Sequence, residues 1–478
     1  MKSAVKIINL KTINSNQIIN LPEHLNGELS NSKSDLILLI DDINNPVKLK
    51  NSCIDLMQIA MENNHQAGMV YADYEINDNR NIEEVHLIKH HVGRVRDNQD
   101  YGRVFLFRKS FIEQVGGFNE SLKYNYLYDI RLKLSEISEI VHIANKTVPS
   151  TLKLRLTGGS LYQVTASKEK TNVFDYLLSD KNVQREAENV LTDHLKRIGA
   201  YLSPKEIFDK RPAYLAKPTK QASIIIPVNN RPDFIVEAIE SAQKQTIQDI
   251  EIIVVVNGGE NDPTNQSVKR YLNGGDKYSA DNPAVRLITT DINNIGFCLN
   301  IGVKNAQGEY YIQLDSDDRL KPNAVEKIIQ KFESDSTIGM VFGSYEVWQK
   351  LDNGEIIREN NIPIVTHSEW TEENGRNNLL RINGAGAPRA IPIQLIKNIG
   401  FFDMNENPFV RNYGEDYDMV LRISEKYKIG RIYDPIYEVI RHSGGTDHSI
   451  DQNTVNRNDE AKDWMRKEAI LRRIAQNK

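Results

Sequence analysis

From Ala222 onward the sequence alternates between apolar strand-like runs and segments with helical spacing. Residues 223–226, Ser-Ile-Ile-Ile, are predicted to form one strand, and Ile250–Val256 is a nearly continuous apolar run that predicts a second. A strand that is apolar on both faces is buried on both sides, which is typical of a parallel sheet. A helix is predicted at residues 298–306 and a further strand at residues 309–314. This order predicts an α/β protein with a Rossmann-like, doubly wound, mostly parallel sheet that binds ligands at the carboxyl ends of its strands.

Four polar residues, Asp315, Ser316, Asp317 and Asp318, follow the last of these strands. Alternate side chains of a strand share a face, so Asp315 and Asp317 are expected to lie side by side, with Asp318 on the other face. Two adjacent carboxylates repel each other unless a cation lies between them, and carboxylate oxygens suit Mg²⁺ or Mn²⁺. A solvated acidic turn is the alternative interpretation, because such turns are common.

Polar residues also follow the first and second strands of this series. Asn229, Asn230 and Arg231 come after the first strand, and Asn257 and Gly258 come after the second. Because the carboxyl ends of parallel strands meet at one edge of a sheet, we expect these residues near the acidic ones. Asn257 followed by Gly258 is equally typical of an ordinary turn.

The composition excludes several classes of protein. At 478 residues the chain is long enough for two or three domains, and its net charge of −5 argues against a generic nucleic-acid binder. Its two cysteines exclude a disulfide framework and a cysteine-rich zinc site. The start of the chain lacks the apolar core of a signal peptide, and no apolar run approaches the length of a membrane span. We therefore expect a cytoplasmic protein.

The sequence contains an internal repeat. Four segments of the first part match four later segments in the same order: residues 68–76 with 339–347, 115–120 with 399–404, 128–136 with 417–425, and 154–160 with 440–446. Ordered matches of this kind indicate duplication.

The differences between the copies concern charged groups. Aligned on Pro46 and Pro322, the first copy has other side chains where the second has acids or imidazole: Leu39 for Asp315, Tyr126 and Leu127 for Glu415 and Asp416, and Leu156 for His442. Too little chain precedes residue 36 to supply a counterpart of residues 222–306. The first copy is therefore interpreted as a degenerate half domain with a structural or acceptor-binding role.

Five motifs in order resemble family 2 glycosyltransferases, which have the GT-A fold. They are Ser-Ile-Ile-Ile-Pro-Val-Asn-Asn-Arg-Pro-Asp at 223–233, Glu-Ile-Ile-Val-Val-Val-Asn-Gly-Gly at 251–259, Asn-Ile-Gly at 294–296, Glu-Tyr-Tyr-Ile-Gln-Leu-Asp-Ser-Asp-Asp at 309–318 and Gly-Glu-Asp-Tyr-Asp at 414–418. The resemblance covers about residues 220–446 and implies four parts: a degenerate, non-catalytic GT-A-like half domain at 1–156, a helical and extended linker at 157–220, the catalytic domain at 221–446 and a C-terminal helical tail at 447–478.

The resemblance implies a metal-dependent, inverting glycosyltransferase of bacterial polysaccharide or glycoconjugate synthesis. The donor would be a nucleoside diphosphate sugar, with UDP favoured and dTDP next. Asn257 stands where a carboxylate is common in the family, so the resemblance does not fix the nucleotide. The implied nucleotide-binding residues are Pro227, Asn229, Asn230, Arg231, Asn257, Asn294, Gly296, Asn300, Asp315 and Ser316. The implied ligands of Mn²⁺ or Mg²⁺ are Asp315, Asp317 and His442.

Asp416, next to Glu415, is the implied catalytic base, which would take a proton from the acceptor hydroxyl. Helix capping is the alternative for both acids, since carboxylates stabilise a helix N-terminus. For His442 the alternative is a surface histidine, and His448 is a weaker candidate for the same role. The implied walls of the acceptor and sugar site are Asp318, Gly384, Ala385, Gly386 and Trp370.

Two other classes of protein stay open. One is a catalytically inactive pseudo-glycosyltransferase that binds a sugar or nucleotide, which the intact acids at 315, 317, 415 and 416 argue against. The other is a nucleotidyltransferase, which would need a glycine-rich phosphate loop after the first strand.

The expected acceptor is a glycan or a lipid-linked glycan. The basic C-terminal helix is expected to pack on a domain, with peripheral binding to the inner face of the membrane as the alternative. The sugar, the linkage and any homo-oligomer are not determined by the sequence.

Overall fold

The structure is a computed structural model, and it describes residues 4–11, 20–78, 81–144, 160–166, 180–205, 208–367, 371–382, 384, 386–442 and 452–478. The described residues form two compact units. The first unit contains described residues up to Tyr201 together with Asn477, and the second contains Leu202–Gln476 and Lys478.

The first unit combines two small sheets with helices. Its strands are β1 (Val5–Asn9), β2 (Leu36–Ile40), β3 (Val47–Leu49), β4 (Ala67–Ala72), β5 (Tyr74–Asn77), β6 (Ile82–Val85), β7 (Val104–Arg108), β8 (Glu139–Ile143) and β9 (Tyr162–Thr165). Its helices are α1 (Leu21–Asn31), α2 (Cys53–Asn63), α3 (Lys109–Gln114), α4 (Tyr126–Ile137) and α5 (Lys181–Arg197). The sheet orders are β1-β2-β7-β4-β8 and β3-β9-β5-β6.

The second unit is built around one large sheet. Its strands are β10 (Lys220–Val228), β11 (Ile250–Val256), β12 (Ala284–Thr289), β13 (Gly308–Gln313), β14 (Arg319–Leu320), β15 (Ile338–Lys350), β16 (Ile356–Arg358), β17 (Arg389–Pro392) and β18 (Lys428–Arg441). Its helices are α6 (Phe234–Gln243), α7 (Thr264–Lys269), α8 (Ile295–Asn305), α9 (Ala324–Glu333), α10 (Gly375–Asn378), α11 (Ile393–Asn398), α12 (Glu415–Ser424) and α13 (Gln452–Gln476).

The sheet of the second unit has the order β12-β11-β10-β13-β17-β15-β18-β14, with β16 paired to β15. The four strands from β12 to β13 are parallel, which confirms the predicted α/β fold. Beyond β13 the sheet is mixed, because β17 runs antiparallel to β13 and to β15. All seven residues of β11 are buried, as its nearly continuous apolar sequence predicts.

The strand order of the first unit repeats the later part of this sheet. The series β1-β2-β7-β4-β8 has the same order as β10-β13-β17-β15-β18, with each parallel or antiparallel pairing preserved. The second small sheet repeats the pairing of β14, β18, β15 and β16. These coincidences support the interpretation of the two units as copies.

Two helices extend the correspondence to single hydrogen bonds. In α8, the side chain of Asn300 donates to the carbonyl of Phe402 and accepts from its amide, both at 2.9 Å. In α1, Asn26 forms the same two bonds with Phe118, also at 2.9 Å. The expectation that residues 222–306 have no counterpart is therefore too strong. In the described part of the first unit, β1 and α1 match β10 and α8, whereas β11 and β12 have no match.

The pairing registers correct the alignment of the copies. Phe105 pairs with Leu39 in the first unit as Arg389 pairs with Gln313 in the second, which makes Asp41 the equivalent of Asp315. The proline-based alignment placed Leu39 there and is wrong, because the loop after β2 is longer. Lys48 follows Asp41 by seven positions, whereas its equivalent Arg319 follows Asp315 by four.

By the same registers, Tyr162 of the first unit corresponds to Tyr437 of the second. In the segment proposed from sequence to match residues 440–446, residues 154–159, including Leu156, lie outside the described residues. The first copy has therefore kept one carboxylate, Asp41, at the strand end.

The C-terminal helix α13 packs on the second unit, as expected. Its buried face includes Met465 and Arg466, and Arg466 donates to the carbonyls of Leu380 and Ile382 at 2.9 and 2.7 Å. In the described part of the chain, no helix combines the length and apolar character needed to cross a membrane.

Candidate active site

Asp315 lies directly beyond β13, where the strand leaves the sheet. Its Oδ1 accepts a hydrogen bond from Gln313 at 3.0 Å, and its amide donates to the Tyr437 hydroxyl at 3.1 Å. Burial raises the pKa of Asp315, and the Arg389 guanidinium partly offsets this rise. The end of β13 is therefore held by a side chain from β18.

Arg389 joins this strand end to the N-terminus of α12. It is the first residue of β17 and pairs with Gln313 across the sheet. Its Nη2 lies 2.7 Å from Asp416 Oδ2, and its Nη1 lies 3.9 Å from Asp315 Oδ2. Burial lowers the pKa of Arg389, but Asp416 and Asp315 outweigh that effect and keep the guanidinium charged. The two predicted acidic sites therefore share one cation.

Helix α12 begins with two acids in very different states. Gly414 precedes them with a φ of 83°, a left-handed conformation that favours glycine. Burial and the neighbouring Asp416 raise the pKa of Glu415 to about 8. Burial also acts to raise the pKa of Asp416, but Arg389, Lys462 and backbone hydrogen bonds outweigh it and lower the value. Near neutral pH, Glu415 is therefore mostly protonated and Asp416 is ionised.

Asp317 has two partners from other elements. The guanidinium of Arg231, from the loop after β10, bonds to its carboxylate. His442 Nε2, just beyond β18, lies 3.0 Å from the same carboxylate oxygen. The sequence predictions for these three residues thus converge at one place in the structure.

The fit of these residues to a metal ion is partial. Asp315, Asp317 and His442 offer the oxygen and nitrogen ligands that Mg²⁺ or Mn²⁺ accepts. In the described residues, however, no group of three or more His, Cys, Asp or Glu side chains is arranged to hold an ion. Arg231 already bonds to Asp317, so a metal ion at this carboxylate would compete with a guanidinium.

Asp318 lies against β18, beside the Tyr437 hydroxyl that also bonds to the amide of Asp315. It is buried, and its Oδ1 accepts from the amide of Ile440 at 2.8 Å. Burial and the nearby Asp317 and Asp315 raise its pKa well above the ordinary value. These contacts make Asp318 an anchor for β18. Ser316, beside it, is also buried.

The loops after β10 and β11 are joined by side chains. Asn229 donates to Asn257 at 2.8 Å, and the amide of Asn230 donates to Asp262 at 2.8 Å. Asp262 also accepts from the amide of Thr264, so this buried carboxylate orders the loop. Pro227 lies within β10. The loop acid Asp262 was missed because nothing in its local sequence marks it.

Asn294, Gly296 and Asn300 all lie against residues 402–404. Asn294 caps α8 by accepting from the amide of Phe297 at 2.9 Å, and it donates to the carbonyl of Met404 at 2.7 Å. A side chain at Gly296 would meet the carbonyl of Asp403. Asn20 in the first unit repeats the capping bond, donating also to Glu120. Because the described part of the first unit has no match to β11 and β12, a structural role explains these asparagines in both copies.

The predicted walls of the acceptor site are only partly described. Trp370, Ala385 and His448 lie outside the described residues. Gly386 has a φ of 67°, and a side chain there would meet the imidazole of His367. Gly384 has open space at the position of a side chain.

Two charged residues near Asp416 were missed from sequence. Arg389 is one of them, and Phe105 takes its place in the first unit, an equivalence that the strand registers show. The other is Lys462 of α13, which is buried and whose charge lowers the pKa of Asp416. Its position depends on how α13 packs, which no local motif indicates.

Comparison with known proteins locates one family domain. Residues 223–381 match the model of the glycosyl transferase family 2. An uncharacterized glycosyltransferase of Rickettsia typhi is 34% identical over 212 residues, which cover 43% of this chain and 60% of the relative. Chondroitin synthase of Escherichia coli is 34% identical over 140 residues, covering 29% of this chain and 18% of the relative.

Among solved structures, residues 1–349 of S. aureus TarS in complex with UDP-GlcNAc align with 18% identity and a TM-score of 0.36, covering 48% of this chain and 61% of that chain. The chain spans less than two thirds of the length of each of these relatives. The match to the glycosyl transferase family 2 model is confined to residues 223–381, within the second unit.

Proposed function

We propose that the second unit transfers a sugar from a nucleoside diphosphate sugar to a hydroxyl group of a glycan. The observation that carries the proposal is the Arg389 guanidinium, which lies 2.7 Å from Asp416 and 3.9 Å from Asp315. This guanidinium connects Asp315, at the end of β13, with Asp416, at the start of α12. The similarity to chondroitin synthase of Escherichia coli supports a growing polysaccharide or glycoconjugate as the acceptor.

Asp416 is the proposed catalytic base. Its side chain is 16% exposed and reachable from solvent, whereas Glu415 is 5% exposed and mostly protonated near neutral pH. Asp416 accepts the proton of the acceptor hydroxyl while the oxygen of that hydroxyl forms a bond to the anomeric carbon. The bond from that carbon to the diphosphate breaks in the same step, and the electron pair leaves with the nucleoside diphosphate. A single displacement of this kind inverts the anomeric configuration.

The loops after β10 and β11 are the proposed nucleoside site. Asn229 and Asn257 bond to each other at 2.8 Å at the carboxyl ends of two neighbouring parallel strands. Their amides can donate to and accept from a base edge, which suits a uracil or thymine ring. We therefore keep UDP as the favoured nucleotide, with dTDP next.

Positive charge for the diphosphate comes from this chain's own arginines. Arg389 Nε is buried and, within the described residues, has no hydrogen-bond partner, so it is available to an incoming anion. Arg231 can exchange Asp317 for a phosphate oxygen. A divalent ion held by Asp315, Asp317 and His442 would add further positive charge against the leaving group.

The decisive assay is hydrolysis and transfer across a panel of nucleotide sugars, with and without Mn²⁺. We expect one UDP- or dTDP-sugar to be consumed and its sugar to appear on an added oligosaccharide. An Arg389→Gln variant should lose that activity, and Arg270→Gln, an exposed arginine of the same unit, should keep it. Tight nucleotide binding without any turnover would instead indicate a pseudo-glycosyltransferase.

A further inference from the structure

A cavity of about 450 Å³ opens within the first unit, and its size is typical of small-molecule sites. Its lining combines Asp41 beyond β2, Phe105 of β7, and Leu127 and Arg131 of α4. The loop of residues 97–103 closes the remaining side. All these residues are within one unit, so the cavity is complete in itself.

The cavity lies where the second unit has its acidic cluster. By strand register, Asp41 corresponds to Asp315 and Phe105 to Arg389. At the start of the matching helices, Leu127 corresponds to Asp416. The ion pair of the second unit is thus replaced by two apolar side chains, while one carboxylate is kept.

The first unit lacks the strands that carry the proposed nucleoside site. Its β1 matches β10 and is the edge of the sheet, and the described residues contain no match to β11. Asn257 and its loop therefore have no equivalent beside this cavity. The cavity therefore corresponds to the proposed sugar and acceptor site of the second unit, and the described residues contain no counterpart of its nucleoside site beside it.

The chemistry of the lining distinguishes between classes of ligand. The lining contains three carboxylates and two arginines: Asp41, Asp97 and Asp100, and Arg103 and Arg131. This excess of acidic groups disfavours an anionic ligand. Arg131 is already bonded to the backbone carbonyls of residues 94 and 96. The lining is thus not arranged to receive a phosphate or a carboxylate ligand.

A purely apolar ligand fits no better. Burial raises the pKa of Asp41, and the charge of Arg103 and a backbone hydrogen bond from Ile43 offset this rise only in part. An apolar ligand would cover the half-buried carboxylate without adding a hydrogen bond. A hydroxyl donor compensates for that cost. The ring of Phe105 and the side chain of Leu127 line the same cavity and supply apolar surface. Hydroxyl groups together with apolar C–H faces are the defining chemistry of a sugar ring.

We propose that this cavity binds an uncharged sugar residue of a glycan, without a nucleotide. The site would hold the glycan chain on a unit that performs no chemistry. The inference rests on the geometry of the first unit and does not require the second unit to be active.

The test uses the full chain and saturation-transfer NMR with three probes: chitotriose, maltotriose and lactose. We expect at least one to bind. Asp41→Ala removes the carboxylate, and Leu127→Trp fills the cavity from the first turn of α4, where the side chain is partly exposed. Each should weaken binding by at least about tenfold, the loss expected for a hydrogen bond to a charged group or for a blocked site.

Tyr124→Trp is the matched control, since Tyr124 is 41% exposed and does not line the cavity. It should leave binding unchanged, and circular dichroism should show that all three variants are folded. Excess UDP should not displace the probe. Absence of binding for all three probes, equal binding in Leu127→Trp, or displacement by UDP would each overturn the proposal. A chain that lacks transferase activity but binds the probe in this way would contradict the proposed function only.

Discussion

Arg389 and Asp416 form an ion pair in the second unit, with Nη2 2.7 Å from Oδ2 and side-chain exposures of 18% and 16%. The same guanidinium lies 3.9 Å from Asp315. One arginine on a short antiparallel strand thus connects a strand end and a helix N-terminus that are about one hundred residues apart in sequence. It also keeps Asp416 ionised, which a catalytic base requires.

Removal of this guanidinium should destabilise the second unit. In Arg389→Met, Asp416 is left enclosed without its partner, and we expect the free energy of unfolding near pH 7.5 to fall by about 3 kcal/mol. Without the guanidinium, the pKa of Asp416 should rise. The loss of unfolding free energy should therefore be smaller at pH 5, where the Asp416 carboxylate takes up a proton. Urea unfolding followed by tryptophan fluorescence measures this, because Trp348, Trp370 and Trp464 all follow residue 202. Arg270→Met, which breaks an exposed pair with Asp276, should change little.

The pH dependence of turnover should separate Asp416 from Glu415. The pKa of Asp416 is lowered, so a rate that depends on its ionised form stays level from pH 8 down to about pH 5 and falls only in stronger acid. The pKa of Glu415 is about 8, so a rate that depends on ionised Glu415 would rise through pH 8. Measurement of kcat/KM between pH 5 and pH 9.5, which reports the groups of the free enzyme, distinguishes the two. An acidic limb with its midpoint near 8 would assign the base to Glu415.

Asp317→Asn should abolish the stimulation of turnover by Mn²⁺ while the unit stays folded. The amide cannot supply the second anionic oxygen beside Asp315, and the substitution removes the carboxylate that lies 3.0 Å from His442. Calorimetric titration with Mn²⁺ should show weaker binding in the variant. Asp276→Asn, at an exposed acid of the same unit, is the control. Wild-type stimulation in Asp317→Asn would remove this residue from the metal site.

Asn300→Ala tests whether this asparagine binds the nucleotide or holds the fold. Its two bonds to Phe402 are lost, and we expect the free energy of unfolding to fall by about 1–3 kcal/mol, with the KM for the nucleotide sugar nearly unchanged. Asn26→Ala should destabilise the first unit similarly, since its bonds to Phe118 are the same. A large increase in KM without loss of stability in Asn300→Ala would restore the nucleotide-binding interpretation.

The parallel half of the sheet could be predicted because the sequence of each strand shows its burial without reference to the rest of the chain. The nearly continuous apolar run at Ile250–Val256 predicts a doubly buried strand, and all its residues are buried in β11. The acidic residues after β13 were also found, because an abrupt change from apolar to charged residues marks a strand end.

Arg389 could not be found by the same means. It begins a four-residue strand whose place depends on antiparallel pairing with Gln313, some seventy-five residues earlier. The equivalence of Asp41 with Asp315 was missed for a related reason, since a longer loop after β2 shifts the prolines that were used to align the copies. Pairing register, which a single sequence does not show, decides both positions.

The most direct test of the catalytic assignment compares donor binding and sugar transfer in Asp416→Asn. Calorimetry should give a dissociation constant for the nucleotide sugar within about twofold of the wild-type value, while the transfer rate falls by roughly 10²–10⁴-fold, the usual contribution of a general base. Transfer at the wild-type rate in this variant would contradict the account.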